Sequence, residues 1–274
     1  MTEIIIDKDQ CSGCGLCVWS CPYVILELKD DADIASVKQE SVSSCSHCGH
    51  CSAICPDGAI SVTYPEAGPI ADFYDESLPT IGQISRLFTS RRSVRDYKKE
   101  KIPKEVFEQV IDIVRYAPTG MNGQSVNWLI IQDPEDVKSF VGKVIEWARI
   151  IIKEQPSHFL TPILPMFVGA WDQGVDKICH GAPHFVIAYG HKDNPVGFID
   201  SVIALTHLDL AAPVFGLGTC WAGIAQIALD SSPELMLSIG IPEDHKSHYA
   251  MMIGYPTYQF TSIPSRNAAH ILWK

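Results

Sequence analysis

The sequence predicts an α+β protein of two domains: a small N-terminal one organised around cysteines, then a larger one with a helix-rich shell around a small sheet. Three observations carry this. Eight of the ten cysteines fall before residue 56, leaving only Cys179 and Cys220 beyond. The stretch YPEAGPIADFYDESLPT (64–80) holds three prolines and no hydrophobic period, as a connector would. From residue 81 onward, long apolar-periodic segments alternate with turn residues. The expected boundaries are a first domain at 1–64, a linker at 65–80 and a second domain at 81–274.

Composition narrows the function classes. With 46% hydrophobic and 19% charged residues the chain has material for a sizeable core, and global disorder is not expected. A formal charge of −11 argues against nucleic acid, whose phosphates demand a basic face. Residues 1–64 hold three basic side chains and nine acidic ones, a local balance of −6. The plain consequence is a solvated acidic surface; the sharper one is steering toward a basic redox partner. No apolar run approaches about 18 residues, so no membrane-spanning helix and no membrane partner is expected. The opening MTEIIIDKDQ carries acidic residues where a signal peptide would be basic, which leads to the expectation of a cytoplasmic protein.

Short strands frame the cysteines: EIIID (3–7), VILEL (24–28) and AISVTY (59–64), with an acidic spacer KDDADIASVKQE (29–40) between the halves. Cys11, Cys14, Cys17 and Cys21 precede Pro22, and Cys45, Cys48, Cys51 and Cys55 precede Pro56. Both runs read C-x2-C-x2-C-x3-C-P. Two-residue gaps let a tight loop wrap a cuboidal iron–sulfur core and aim three thiolates at three irons. Gly13, Gly15 and Gly49 relax the backbone where it passes that core. Regular spacing without a signal peptide argues against a disulfide framework. Zinc sites seldom use two identical four-cysteine runs with trailing prolines. The runs resemble those of bacterial two-[4Fe–4S] ferredoxins. By that resemblance the fourth cysteine of each run serves the other cluster, so Cys11, Cys14, Cys17 and Cys55 hold one and Cys45, Cys48, Cys51 and Cys21 the second.

In the larger domain, apolar residues at 81, 84, 87 and 88 predict a short amphipathic helix. PKEVFEQVIDIVRYAP predicts a second, with Pro103 in its first turn and Val106, Val110 and Val114 on a buried face. WLIIQD and HFVIAYG predict strands, and DPEDVKSFVGKVIEWARIIIKEQ a long helix. DSVIALTHLDLAAPVFGLG predicts a buried helix with Pro213 near its end, and SPELMLSIG a helix closed by Gly240. HYAMMIGYP predicts the last strand. His245 and His248 read as surface loop residues, and no metal other than iron is expected. Neither a Rossmann fingerprint nor a P-loop is present.

Three stretches suggest a different cofactor route. RRSVRDY (91–97) sets Arg91, Arg92 and Arg95 with Ser93 within five residues, which suits a phosphate monoester. APTGMNGQSVNW (117–128) turns through glycines and presents Asn122 and Gln124, amides able to pair with a pyrimidine edge. GLGTCWAGI (216–224) lets backbone approach a planar ring. In this order they resemble the flavin-binding stretches of the nitroreductase family of FMN enzymes, over roughly residues 84–274. The whole chain thus resembles a ferredoxin–nitroreductase fusion.

The resemblance implies FMN at a homodimer interface. Arg91, Arg92, Ser93 and Arg95 would hold the ribityl phosphate and nearby groups, with Arg266 capping the phosphate from the C-terminal segment. Thr119, Gly120, Asn122 and Gln124 would reach FMN from the neighbouring subunit. Cys220, Trp221, Ala222 and Gly223 would line the ring, with backbone N–H groups near N5 and O4. Ala222 stands where some members carry an acidic residue. Segment 143–183 matches no motif and is where substrate choice would reside, with Trp147, His158, Phe159, Met166, Phe167 and Trp171 as pocket candidates. No general acid stands out, so catalytic residues are unassigned.

The expected activity is an oxidoreductase in which two [4Fe–4S] clusters pass electrons from an external low-potential donor, such as a ferredoxin or flavodoxin, to FMN. FMN then reduces a nitroaromatic, quinone or activated alkene. The alternative is an electron-transfer or redox-sensing protein that serves protein partners and turns over no small molecule.

Overall fold

The two cysteine runs fold alike, because each places a glycine where the chain must turn into a helix. Gly15 (φ 74°) and Gly49 (φ 70°) are the left-handed N-caps of α1 (Leu16–Ser20) and α2 (His50–Ala53). Residues bearing a Cβ adopt that region at a cost. In the computed structural model, residues 2–28, 34–65 and 78–274 are described. Two compact units result: Met1–Ser77 with Met121–Gly123, and Leu78–Gly120 with Gln124–Lys274. The expected linker lies largely (66–77) outside the described residues, as does the first part of the acidic spacer (29–33).

In the first unit β1 (Glu3–Ile6) pairs antiparallel with β4 (Ile60–Thr63), bringing the two ends of the unit together. β2 (Leu26–Leu28) pairs with β3 (Ala35–Val37), a strand inside the stretch expected to be a spacer. A 3-10 turn, Gln39–Ser44, leads into the second run. The core is small, centred on Cys17, Leu26, Ala35 and Ile60. Units of this size usually need a disulfide, metal or other staple, and all eight cysteines here are free thiols.

The second unit is a sheet covered on both faces. Its strands are β5 (Asn127–Ile131), β6 (His184–His191), β7 (Gly218–Trp221) and β8 (His245–Gly254), ordered β5-β6-β8-β7 and antiparallel throughout. Strand alternation divides the core. Phe185 and Ile187 face a cluster with α5 (Pro134–Glu154) and α8 (Gly223–Ser231), whereas Val186 and Ala188 face one with α4 (Lys104–Val114) and α7 (Gly197–Ala211). The remaining helices are α3 (Ile81–Ser90), α6 (Leu164–Asp172) and α9 (Pro233–Ser238).

Several elements differ from expectation, each for a physical reason. β7 was not expected, because its four residues follow Gly216 and show no alternation; pairing with β8 makes the strand. α6 and α8 were likewise unforeseen. His245 and His248 lie on β8, not in a loop, because pairing with β6 continues past a bulge at Ala188/Tyr189; His248 is buried. Pro103 caps α4 rather than entering it. α7 ends at Ala211 and tightens into a 3-10 turn, Ala212–Phe215, which contains Pro213. Gly197–Phe215 is also long and apolar enough by composition to cross a membrane, against the sequence expectation. Its buried Asp200 and Asp209 accept hydrogen bonds from neighbouring elements, as in a core helix.

Close packing between residue 94 and β7 yields a first prediction. A Cβ on Gly218 would stand 2.5 Å from Val94 Cγ2. Gly218→Ala is therefore expected to destabilise the larger unit by about 1–3 kcal/mol, read as a lower melting temperature in calorimetry; an unchanged melting temperature would refute this packing.

Candidate functional site

Four thiols ring each of two hollows in the first unit. Cys11, Cys14, Cys17 and Cys55 line one, and Cys21, Cys45, Cys48 and Cys51 line the other. The fourth cysteine of each run thus stands with the other run's first three. The cause is the β1–β4 pairing with α1 packed on α2, which crosses the two halves. Among the described residues no three His, Cys, Asp or Glu side chains gather as they would around a single metal ion. Four thiols spread around a hollow suit a larger inorganic core better than one zinc. Ala59 N–H donates to Cys55 Sγ (3.3 Å), the kind of bond that tunes a cluster sulfur. Burial pushes the Cys17 and Cys51 thiols up, so ligation, which needs the thiolate, must release protons there.

In the second unit, segment 91–97 runs beside β7. Val94 N–H donates to Thr219 O (2.9 Å), and Tyr97 bridges Pro256. Arg91 reaches Asp209 on α7 at 3.3 Å. Asp209, buried, also accepts from Thr219 Oγ1 and from Trp221 Nε1 (3.2 Å). The first and third motifs are therefore fastened together through one carboxylate. Burial pushes the Cys220 thiol up, with Arg95 and Ser93 opposing the shift. Arg92 Nε is buried with no partner among the described residues, an orphaned donor that an anionic group would satisfy. Arg95 is exposed. The donor set fits a phosphate.

The second motif stands at the other end of α7. Gly120 N–H donates to Asp200 Oδ1 (2.9 Å), and Thr119 Oγ1 accepts from Gln124 N–H (3.0 Å). Asp200 and Asp209 are nine residues apart on α7, about 13 Å along a helix axis. Asn122 (φ 54°) belongs to the first compact unit, and Gln124 (φ 44°) is exposed. Arg266 lies in the exposed C-terminal segment, its guanidinium donating to Ser265 O (3.3 Å).

The ring-lining residues have mixed fates. Trp221 is half-buried, with its indole committed to Asp209. Ala222 N–H donates to Ala250 O (2.9 Å), so this expected ring donor is already engaged by β8. Gly223 opens α8, where first-turn N–H groups have no helical acceptor. Of the pocket candidates, Trp147 is core, and Phe167 and Trp171 pack against that core. Phe159 and Met166 are exposed, and His158 lies against Phe159 (4.8 Å between rings). Cys179 is fully buried, its thiol pushed well up by burial. A groove of about 420 Å³ between α4 and β5, floored by Phe107, Ile111, Trp128 and Ile130, holds none of the motif residues.

Asp200 and Asp209 are the residues that motif reading missed. A signal was available: two aspartates in an otherwise apolar helix mark acceptors that must meet donors inside the protein.

Residues 88–255 match the nitroreductase family model. The chain belongs to the nitroreductase family. Residues 3–65 match a 4Fe-4S dicluster domain. An FMN reductase [NAD(P)H] of Bacillus subtilis is 29% identical over 180 residues, spanning 64% of this chain and 67% of that protein. An iodotyrosine deiodinase of Thermotoga neapolitana is 27% identical over 184 residues, spanning 63% of this chain and 97% of that protein. The fold is shared with a nitroreductase with bound FMN from Bacteroides fragilis (TM-score 0.55, 20% identity, 70% of this chain and 99% of that one). It is shared too with oxidised iodotyrosine deiodinase bound to FMN and 3-iodo-L-tyrosine (TM-score 0.52, 22% identity, 70% and 98%). The chain is thus an FMN-dependent oxidoreductase of α+β fold with an iron–sulfur domain in its N-terminal part.

Proposed function

We propose that the protein reduces a small organic acceptor with electrons drawn from an external low-potential carrier, at an FMN site formed between two copies of the chain. The observation that carries this is the pair of four-thiol hollows in a chain whose larger unit belongs to the nitroreductase family. When bound, two [4Fe–4S] clusters exchange single electrons, and FMN exchanges two and can deliver a hydride equivalent. The chain supplies position and charge. Arg91 and Arg95 offer guanidinium forks to the phosphate, with Arg92 Nε as a further buried donor. Asp209 keeps Arg91 fixed to the strand bearing Trp221. Nitroaromatics, quinones and activated alkenes are the acceptors to screen. Halogenated tyrosines join them, because relatives are named iodotyrosine deiodinase.

Exposed apolar surface supports the homodimer. α3, capped by Thr80 and Gln83, leaves Ile81, Ile84 and Phe88 exposed. α7 exposes Phe198 and Ile199, and the C-terminal segment exposes Ile271, Leu272 and Trp273. Patches of this kind mark association surfaces. Phe88→Asp is expected to weaken dimerisation at least about tenfold and FMN retention with it, as measured by light scattering and flavin content. A fully dimeric, flavin-replete variant would exclude α3 from the interface.

Anaerobically purified protein tests the whole reading. About eight irons and one FMN per chain are expected, with acceptor turnover driven by a reduced ferredoxin. Iron without flavin would refute the FMN site. Both cofactors with no turnover of any acceptor would leave an electron carrier.

A further inference from the structure

Asp200 lies in the first turn of α7, 3% exposed. Its Oδ1 accepts Gly120 N–H at 2.9 Å. Its Oδ2 is buried with no partner among the described residues, as are Ser201 Oγ and His248 Nε2. The corner is tightly closed. A Cβ on Gly197 would stand 2.8 Å from His248 Nε2, and one on Gly190 3.0 Å from the same atom. A Cβ on Gly120 would stand 2.9 Å from Val196 Cγ2. Asn194 secures the far side of the segment, donating through Nδ2 to Ser125 Oγ (2.8 Å). Gln124, next to Ser125, holds a φ of 44°. Residues with side chains adopt such conformations only where their surroundings impose them. Burial, then Lys246, holds His248 below the ordinary histidine range, while Asp200 opposes them. The ring is thereby biased toward its neutral form.

We propose that Asp200 is the positioning residue of the flavin loop, fixing Gly120 through its N–H, and with it Thr119 and Gln124, in the geometry in which these three meet FMN. The inference rests on the reading of this loop as an FMN contact. The carboxylate touches no cofactor atom itself. It supplies a buried acceptor that the loop cannot replace with water, so the loop arrives already ordered and FMN does not bear the cost of ordering it.

The test is FMN affinity, titrated by flavin fluorescence on the full chain after flavin removal, with melting temperature and iron content recorded for each variant. Asp200→Ala is expected to raise the FMN dissociation constant tenfold or more (about a 1.4 kcal/mol loss). Asp200→Asn keeps an acceptor for Gly120 and is expected to stay within about threefold of wild type. Gly120→Ala, which drives a Cβ into Val196 while leaving Asp200 intact, is expected to reproduce the loss. If Asp200→Ala fails to fold, the Asn variant and Gly120→Ala decide the matter. The proposal falls if Asn weakens FMN as much as Ala does. It falls also if Asp200→Ala binds normally while Arg91→Ala does not, an outcome that leaves the flavin reading standing. A wild-type chain that binds no FMN removes that reading and the proposal with it.

Discussion

Replacing Cys55 with serine is expected to remove about half the iron, from about eight atoms per chain to about four, and to stop acceptor reduction by a ferredoxin. Cys55 belongs to the second run in sequence but stands in the hollow of the first, with Cys11, Cys14 and Cys17. The cluster lost should therefore be the one held by the first run. Cys21→Ser should remove the other, since Cys21 stands with Cys45, Cys48 and Cys51. Electron paramagnetic resonance of the reduced protein, where two interacting clusters become one isolated cluster, separates the cases. If each run served only itself, pairing Cys55→Ser with Cys48→Ser would cost no more iron than either alone. With crossed ligation the double variant loses both clusters. Activity should fall at least about a hundredfold, because a single-electron route has no substitute in the side chains. FMN content should hold, since Arg91, Gly120 and β7 lie in the other unit.

What the sequence made legible follows from how local each interaction is. The cysteine runs could be read because ligand spacing is set within eleven residues by the shape of the group being held. The long helices could be read because burial imposes a period that the chain repeats several times, as in Val137, Phe140, Val141, Val144 and Ile145 of α5. β7 could not, because four residues carry too little period and its pairing with β8 is remote in sequence. His248 was misplaced for the same reason: its burial depends on how far β6 pairs beyond a bulge. The three stretches expected to meet FMN were visible as residue types, but not the aspartates that fasten Arg91 and Gly120. Arg91 meets Asp209, and Gly120 meets Asp200, over 118 and 80 residues respectively. A local pattern cannot show such partners, although charges inside an apolar helix announce that some exist.

Arg91→Ala is expected to weaken FMN binding on the order of 10- to 100-fold while leaving riboflavin, which lacks the phosphate, nearly unchanged. A charge-assisted hydrogen bond contributes about 1.5–3 kcal/mol, which sets that range. The substitution also strips Asp209 of its cation. Removing one partner of a buried pair costs about 3–5 kcal/mol. Arg91 is about a quarter exposed (27%), and Thr219 and Trp221 still donate to the carboxylate, so the loss here should be nearer 1–2 kcal/mol. Two effects of similar size are thus superimposed, and a single variant cannot separate them. Pairing Arg91→Ala with Asp209→Asn can. Asparagine can donate to Thr219 Oγ1 and accept from Trp221, so the double variant should recover the melting temperature, yet FMN affinity should stay low. Arg91→Lys should fall between, keeping the charge but losing the fork. If the double variant regained FMN affinity together with stability, the arginine would be a structural partner of Asp209 and the phosphate would be held elsewhere. Equal losses for FMN and riboflavin would point the same way, since only a phosphate contact distinguishes the two ligands.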